Sequence, residues 1–419
     1  MKALISEKSS NLINGLFFLF PLFSGVVESW HSTIFIVLTL WALFFCRETW
    51  SELEKAERLF LWAIVIYFAL AALSLVNADD LYLGMKRLRK MSYLLGFVPL
   101  LLACRRLRLQ PTLPFLYGML SGSFICFAVA IYQTKYSQVV SRAHGITNPV
   151  IFGEICMLYA LLSLLLLLLI YEPFRRCWFL VFVSFFAGSG ASVLSQTRGA
   201  WIAFPVLFVF MVFFELRKLD CKRIIAGLLL FTLCGAGLTL LSGPGIKSRG
   251  TAAINHIQNA IDKDINPDTS IGKRFLMWGV AWEMFCDRPF IGSGLGDFPH
   301  DLKEAVREGK TALRTPSHPH AHSIYFEAFA TTGIFGFVGM VLTIFVLPFY
   351  LFYVNWRRSI SMQEQYAGAA GMVCVLAFAV FGLADAWLTH SVMVTCYVVC
   401  VLTFILGSSK GRRQWQHPG

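Results

Sequence analysis

Three histidines alternate in His318-Pro319-His320-Ala321-His322, directly ahead of a long apolar run. Alternating imidazoles are zinc-type ligands, and imidazole is also the side chain suited to taking a proton near neutral pH. Glu327 follows five residues after the last histidine. The proline nevertheless breaks helical spacing, no HExxH or Cys/His pairing is present and no second ligand set is evident, so no metal is expected. A catalytic or substrate-contacting histidine then competes with a merely polar loop end. Two arginines stand where apolar sequence turns polar: Arg198, in the tight connection Ser195-Gln196-Thr197-Arg198-Gly199, and Arg274, which opens an amphipathic stretch. Arginine keeps its charge and presents a planar fork of donors that recognises phosphate. The alternatives are a snorkelling anchor for Arg198 and a surface charge for Arg274. Asp385 interrupts the last apolar hairpin, Gly382-Leu383-Ala384-Asp385-Ala386-Trp387, as a turn residue, a helix cap or a site residue.

Ionisable groups are costly in a bilayer core, so those at helix ends on one surface are where chemistry is sought. Two arginines, a histidine and an aspartate at one membrane face suit a lipid-linked diphosphate, whose phosphates lie at that depth. Paired arginines can stabilise a departing diphosphate by neutralising its charge, without a metal. No GxxxxGK[ST] loop is present, and Gly292-Ser293-Gly294-Leu295-Gly296 follows no strand, so ATP has no support as an energy source.

The elements that position these residues are membrane spans. Of 419 residues, 57% are hydrophobic and 14% charged, which excludes an ordinary soluble globular chain. Apolar runs predict twelve transmembrane helices, at 11–27, 31–46, 59–76, 91–103, 112–132, 149–171, 177–195, 199–214, 223–241, 323–353, 366–384 and 386–407. With both termini cytoplasmic, the segments on that side carry 19 Lys and Arg when Arg223 at the edge of the ninth span is included, against 7 in the short outward loops. The net charge of +12 is therefore read as topology signal, not as a nucleic-acid surface. The basic stretch Lys86-Arg87-Leu88-Arg89-Lys90 falls in an outward loop, and Arg87 is a further phosphate candidate that topology explains equally well. The expected organisation is spans one to nine over 1–241, an outward loop over 242–322, three spans over 323–407 and a cytoplasmic tail over 408–419. Within the loop, Phe275, Trp278, Trp282 and Phe285 recur at helical spacing and predict an interfacial helix over 273–285, with a polar helix at 299–309. No internal repeat of the transporter kind is seen, and apart from Glu154 the other helices carry little charge. Most of the eleven cysteines lie in or beside apolar runs, so no disulfide framework is implied.

These residues resemble those of the bacterial O-antigen ligases, a family grouped with O-antigen polymerases and protein O-oligosaccharyltransferases. His322-Ser323, nine further residues and Gly333-Ile334-Phe335-Gly336 match the family's pattern of His, small polar residue and Gly-x-x-Gly. The Gln196-Thr197-Arg198-Gly199 turn and the stretch from Arg274 through Pro289 to Gly294 resemble its two arginine-bearing segments. Asp385 stands where it carries an acidic residue, and Arg142-Ala143-His144-Gly145 through Pro149 resembles a loop of the wider group.

The resemblance implies an all-α integral membrane protein of GT-C-like fold, in the bacterial inner membrane, with a large periplasmic loop. It implies a glycosyltransferase that moves O-antigen from undecaprenyl diphosphate to a sugar hydroxyl of lipid A-core, inverting and free of metal or nucleotide cofactor. His322 would activate the acceptor, Arg198 and Arg274 would hold the diphosphate, and Asp385 would orient one of these groups or the acceptor. Arg87, Arg142, His318, His320, Ser323 and Trp278 complete the expected substrate contacts. A polymerase or protein transferase of the same group is the alternative, and a lipid or glycan transporter a more distant one.

Overall fold

The computed structural model describes residues 2–46, 50–137, 142–169, 172–215, 266–316 and 318–409, and among them every regular element is helical. In chain order the α-helices are α1 (Lys2–Phe23), α2 (Trp30–Phe45), α3 (Lys55–Ser74), α4 (Leu81–Met91), α5 (Phe97–Arg106), α6 (Thr112–Ile131), α7 (Pro149–Leu169), α8 (Trp178–Leu194) and α9 (Arg198–Glu215). They continue with α10 (Ser270–Asp287), α11 (Phe298–Arg307), α12 (Ile324–Met340), α13 (Leu347–Arg357), α14 (Met362–Phe381) and α15 (Ser391–Ser408).

Among the described residues, seven helical runs are long and apolar enough to cross a membrane: those of α3, α6, α7, α8, α14 and α15, and α12 continued through a π-turn into α13. The apolar parts of α1, α2 and α9 are shorter and coincide with the first, second and eighth expected spans. The chain is thus an all-helical, multi-pass membrane protein. Helices α7, α14 and α15 are apolar on every side and buried nearly throughout, as befits the centre of a bundle. Around them, α3 and α12 bare Leu59, Trp62, Ile66, Phe335 and Val338, an apolar surface suited to hydrocarbon. Helix α6 lies against α1 through Gly118 and Gly122. A methyl at these positions would stand 2.0 Å from the Phe18 carbonyl oxygen and 2.6 Å from that of Pro21.

The fourth expected span, 91–103, and the outward basic loop before it need correction. Lys86–Lys90 lies inside α4, which Asp80 caps by accepting the Leu83 N–H at 2.9 Å. A 3-10 turn over Ser92–Leu94 leads into α5, so the expected span 91–103 is a turn followed by a ten-residue helix. Charge density made this stretch look like a loop. Two of its cations reach distant carbonyls: the buried Arg87 donates to Pro319 O and the half-buried Lys90 to Thr389 O. The ninth expected span, the first part of the expected outward loop (through residue 265) and all but the first two residues of the expected tail lie outside the described residues.

In the described part of that loop, helices α10 and α11 replace the expected 273–285 and 299–309. The buried side of α10 is Met277, Val280, Ala281 and Met284, while Phe275 and Trp282 of the expected aromatic stripe are exposed. Helix α10 packs on both α11 and α12.

The Gly-x-x-Gly of α12 breaks that helix at Gly333 (φ 61°, ψ −167°). The break frees backbone groups that the turn over 289–294 takes up. Ser293 and Gly294 N–H donate to the carbonyls of Ala330 and Thr331, at 3.0 and 3.2 Å, and Ile334 N–H donates to Pro289 O at 2.8 Å. A side chain at Gly333 would meet the Phe290 backbone at 2.5 Å, in a backbone region essentially closed to other residues. Gly333→Ala is expected to cost at least about 1–3 kcal/mol from strain alone. A melting temperature in detergent equal to that of the parent protein would disprove this.

Candidate active site

The histidine segment enters α12 through backbone groups that are tied one by one. Arg87, 8% exposed, donates from Nη2 to Pro319 O at 2.5 Å. The Glu327 carboxylate accepts the Ala321 N–H at 2.8 Å, and the Trp278 indole donates to Ala321 O at 3.0 Å. Ser323 donates from Oγ to Gly382 O at 3.2 Å, joining the segment to the last hairpin. Between these ties His322 takes a left-handed backbone (φ 51°), and its N–H reaches His320 Nδ1 at 3.2 Å. This conformation costs a non-glycine residue of order 1 kcal/mol, so the surrounding bonds impose it. No hydrogen bond from a described residue holds the His322 imidazole itself.

Arg87, Trp278 and Ser323, all expected substrate contacts, thus each hold the histidine segment through one hydrogen bond. Trp278 also stacks on Phe326, with centroids 4.9 Å apart. Arg87 Nε and Thr389 Oγ1, both without a partner, lie beside Glu327 on a cavity of about 30 Å³. Glu327→Ala strands the buried Ala321 N–H and is expected to destabilise the protein by about 1–3 kcal/mol. Glu327→Gln, which still offers an acceptor, should recover most of that loss in thermal unfolding. Equal loss in both variants would remove the hydrogen bond as the cause.

Arg198 begins α9 after a turn that is braced in the same manner. Gln196 is left-handed (φ 55°), Thr197 Oγ1 donates to Pro149 O at 2.7 Å, and Arg142 donates from Nε to Ser195 O at 2.9 Å. Arg142 also reaches Gln196 O at 3.4 Å, so its guanidinium braces the turn instead of offering a free phosphate ligand. A methyl at Gly199 would stand 2.6 Å from Ala384 Cβ, which places the start of α9 against the segment that carries Asp385.

Arg274, on the second turn of α10, is subject to the charges of Asp385, Glu154 and Arg198. Burial pulls its pKa down and the two carboxylates hold it up, so it stays cationic. Asp385 is 3% exposed. Burial pushes its carboxyl up to about 6 against the pull of the Ala386 N–H and Arg274. Its Oδ2 has no hydrogen-bond partner. Burial is also the main cause that lowers His322 to about 4 and His320 to about 2, with Arg274 adding to the first and His322 to the second. His318 is lowered as well, by burial and then by Lys273. These imidazoles are therefore neutral at neutral pH.

The rings of His320 and His322 lie 4.4 Å apart, and those of His318 and His322 5.8 Å. His390, which sequence reasoning missed, faces His320 at 5.5 Å and stands with Nε2 3.9 Å from Asp385 Oδ2. At that separation, and with burial keeping the imidazole neutral, the contact is neither a hydrogen bond nor an ion pair. Its signal in the sequence was a polar residue shortly after Asp385 in an otherwise apolar hairpin. Glu154, on α7, is fully buried with both carboxylate oxygens unpartnered, and the charges acting on it are Asp385 and Arg274.

The fold and this cluster define a multi-pass membrane protein with two cations, neutral imidazoles and buried carboxylates gathered at one end of its bundle. Residues 182–341 match the family described as O-Antigen ligase. The matched segment carries Arg198, Arg274, the three histidines and the Gly333 break, while Asp385 and His390 lie beyond it. A Haemophilus influenzae protein named only as uncharacterized is 25% identical over 403 residues, covering 94% of this chain and 97% of the relative.

Proposed function

We propose that this protein is an O-antigen ligase of the bacterial inner membrane. It transfers O-antigen from undecaprenyl diphosphate to a sugar hydroxyl of lipid A-core at the periplasmic face, with inversion and without a metal or nucleotide. The observation that carries the reading is the convergence of Arg274, Asp385, Arg198 and an uncommitted His322 imidazole. His322 takes the proton of the acceptor hydroxyl as its oxygen bonds to the anomeric carbon. The bond from that carbon to the diphosphate breaks on the opposite face, and the charge of the leaving diphosphate develops against Arg198 and Arg274. Asp385 keeps Arg274 in place. The rest of the catalysis is positioning, for which the braced turns around His322 and Arg198 are suited.

The test is a transfer assay with purified protein, lipid-linked O-antigen and lipid A-core in liposomes, with a chelator and without ATP. A ladder of glycosylated lipid A-core supports the reading. Lengthened donor without attachment would assign the protein to the polymerases of the family, and movement of intact donor across the bilayer would assign it to transport.

A further inference from the structure

We propose that His320, His322 and Asp385 bind a divalent transition-metal ion of the zinc type, with His390 as a fourth ligand, and that the bound ion blocks the site. One ligand atom from each of the first three lies within 4.8 Å of the others. Tetrahedral zinc, with bonds of about 2.0–2.1 Å, needs ligand atoms about 3.3 Å apart, so the set has to close by no more than about 1.5 Å. His390 Nε2 already stands 3.9 Å from Asp385 Oδ2. A second observation points the same way: Asp385 is 3% exposed and its Oδ2 is aimed into the imidazoles without a partner. An acceptor in that condition is expected to meet a cation or a donor.

Imidazole nitrogens with one carboxylate oxygen suit Zn2+, Ni2+ or Cu2+ and not the oxygen-seeking Mg2+ or Ca2+. The cost is small. Ligation through either nitrogen of His320 gives up only the 3.2 Å contact from the His322 N–H, since Nδ1 then carries the metal or the proton. Arg274 and Arg87 act on the same groups and oppose a dication, while the Asp385 carboxylate that joins the ligand set counters part of their charge. The linear spacing of the histidines argued against metal because the missing ligands come from another hairpin, between α14 and α15.

The binding itself is independent of the proposed transfer reaction. The blocking rests on it, because a metal on His322 occupies the nitrogen that would take the acceptor's proton. Purified full-length protein without a histidine tag, stripped with EDTA and equilibrated with Zn2+, is desalted and its metal counted. About one zinc per chain is expected. It should be lost in His320→Ala and in the isosteric Asp385→Asn, and kept in His300→Ala, which removes a more exposed His/Asp cluster with Asp79 and Asp301. Replacing Zn2+ by Co2+ should give the visible absorption of a tetrahedral nitrogen–oxygen site, a readout that the folding state of a variant does not mimic. No retained metal, or retention that survives both substitutions and fails in His300→Ala, overturns the site. Zinc should also abolish transfer and EDTA restore it. Transfer that persists at full occupancy overturns the blocking, whereas an absence of transfer with or without metal counts against the ligase reading and leaves the metal count standing.

Discussion

Arg274→Ala is expected to lower glycan transfer by about two to three orders of magnitude, the usual effect of removing one donor aimed at charge that develops in a transition state. Arg274 sits between Asp385 and Glu154, with Arg198 as the second cation. Its loss removes the leaving-group partner and leaves two buried carboxylates facing each other. Part of the damage would therefore be structural, since breaking a buried ion cluster costs about 3–5 kcal/mol. Arg274→Lys separates the two contributions. The ammonium keeps the charge near the carboxylates but cannot form the planar two-pronged contact with phosphate. Its melting temperature should approach that of the parent while its single-turnover rate stays low. Parental rates for the lysine variant would reduce Arg274 to a counterion.

His322→Ala is the second large effect, with a loss of about 10²- to 10⁴-fold for a general base. The backbone sharpens this experiment. Alanine at φ 51° remains strained, whereas glycine accepts that conformation freely. His322→Gly should therefore melt no lower than His322→Ala and transfer equally little, dissociating stability from activity. Substantial transfer by either variant at normal membrane levels would take the base role from His322 and direct attention to His320 or His390.

The apolar spans were legible because a run such as 149–171 has one outcome in a bilayer, and α7 follows it closely. The helix over Ser270–Asp287 was legible from periodicity, while the spacing from His322 to Gly333 carried meaning only through the family resemblance. What stayed hidden depends on partners far along the chain. Arg87 and Lys90 read as loop because nothing nearby could satisfy them, and their acceptors lie 232 and 299 residues away. The grip of Arg142, an expected substrate contact, on the 195–196 carbonyls is invisible in sequence. His390 was overlooked because it matters only once the hairpin between α14 and α15 folds over the histidines. The Gly-x-x-Gly could be matched but not explained, since its function lies in the hydrogen bonds that its broken helix releases.

Those hydrogen bonds also join the site's parts unequally. The 289–294 turn ends α10, which carries Arg274, and is stitched to the interrupted α12, which carries His322 at its head. On the proposed roles, base and clamp thus share one hydrogen-bonded bracket. Arg198 hangs from α9, whose far side bares Ile202, Val206, Val209 and Phe213. A shift of α9 would therefore move the second cation of the proposed site relative to the first.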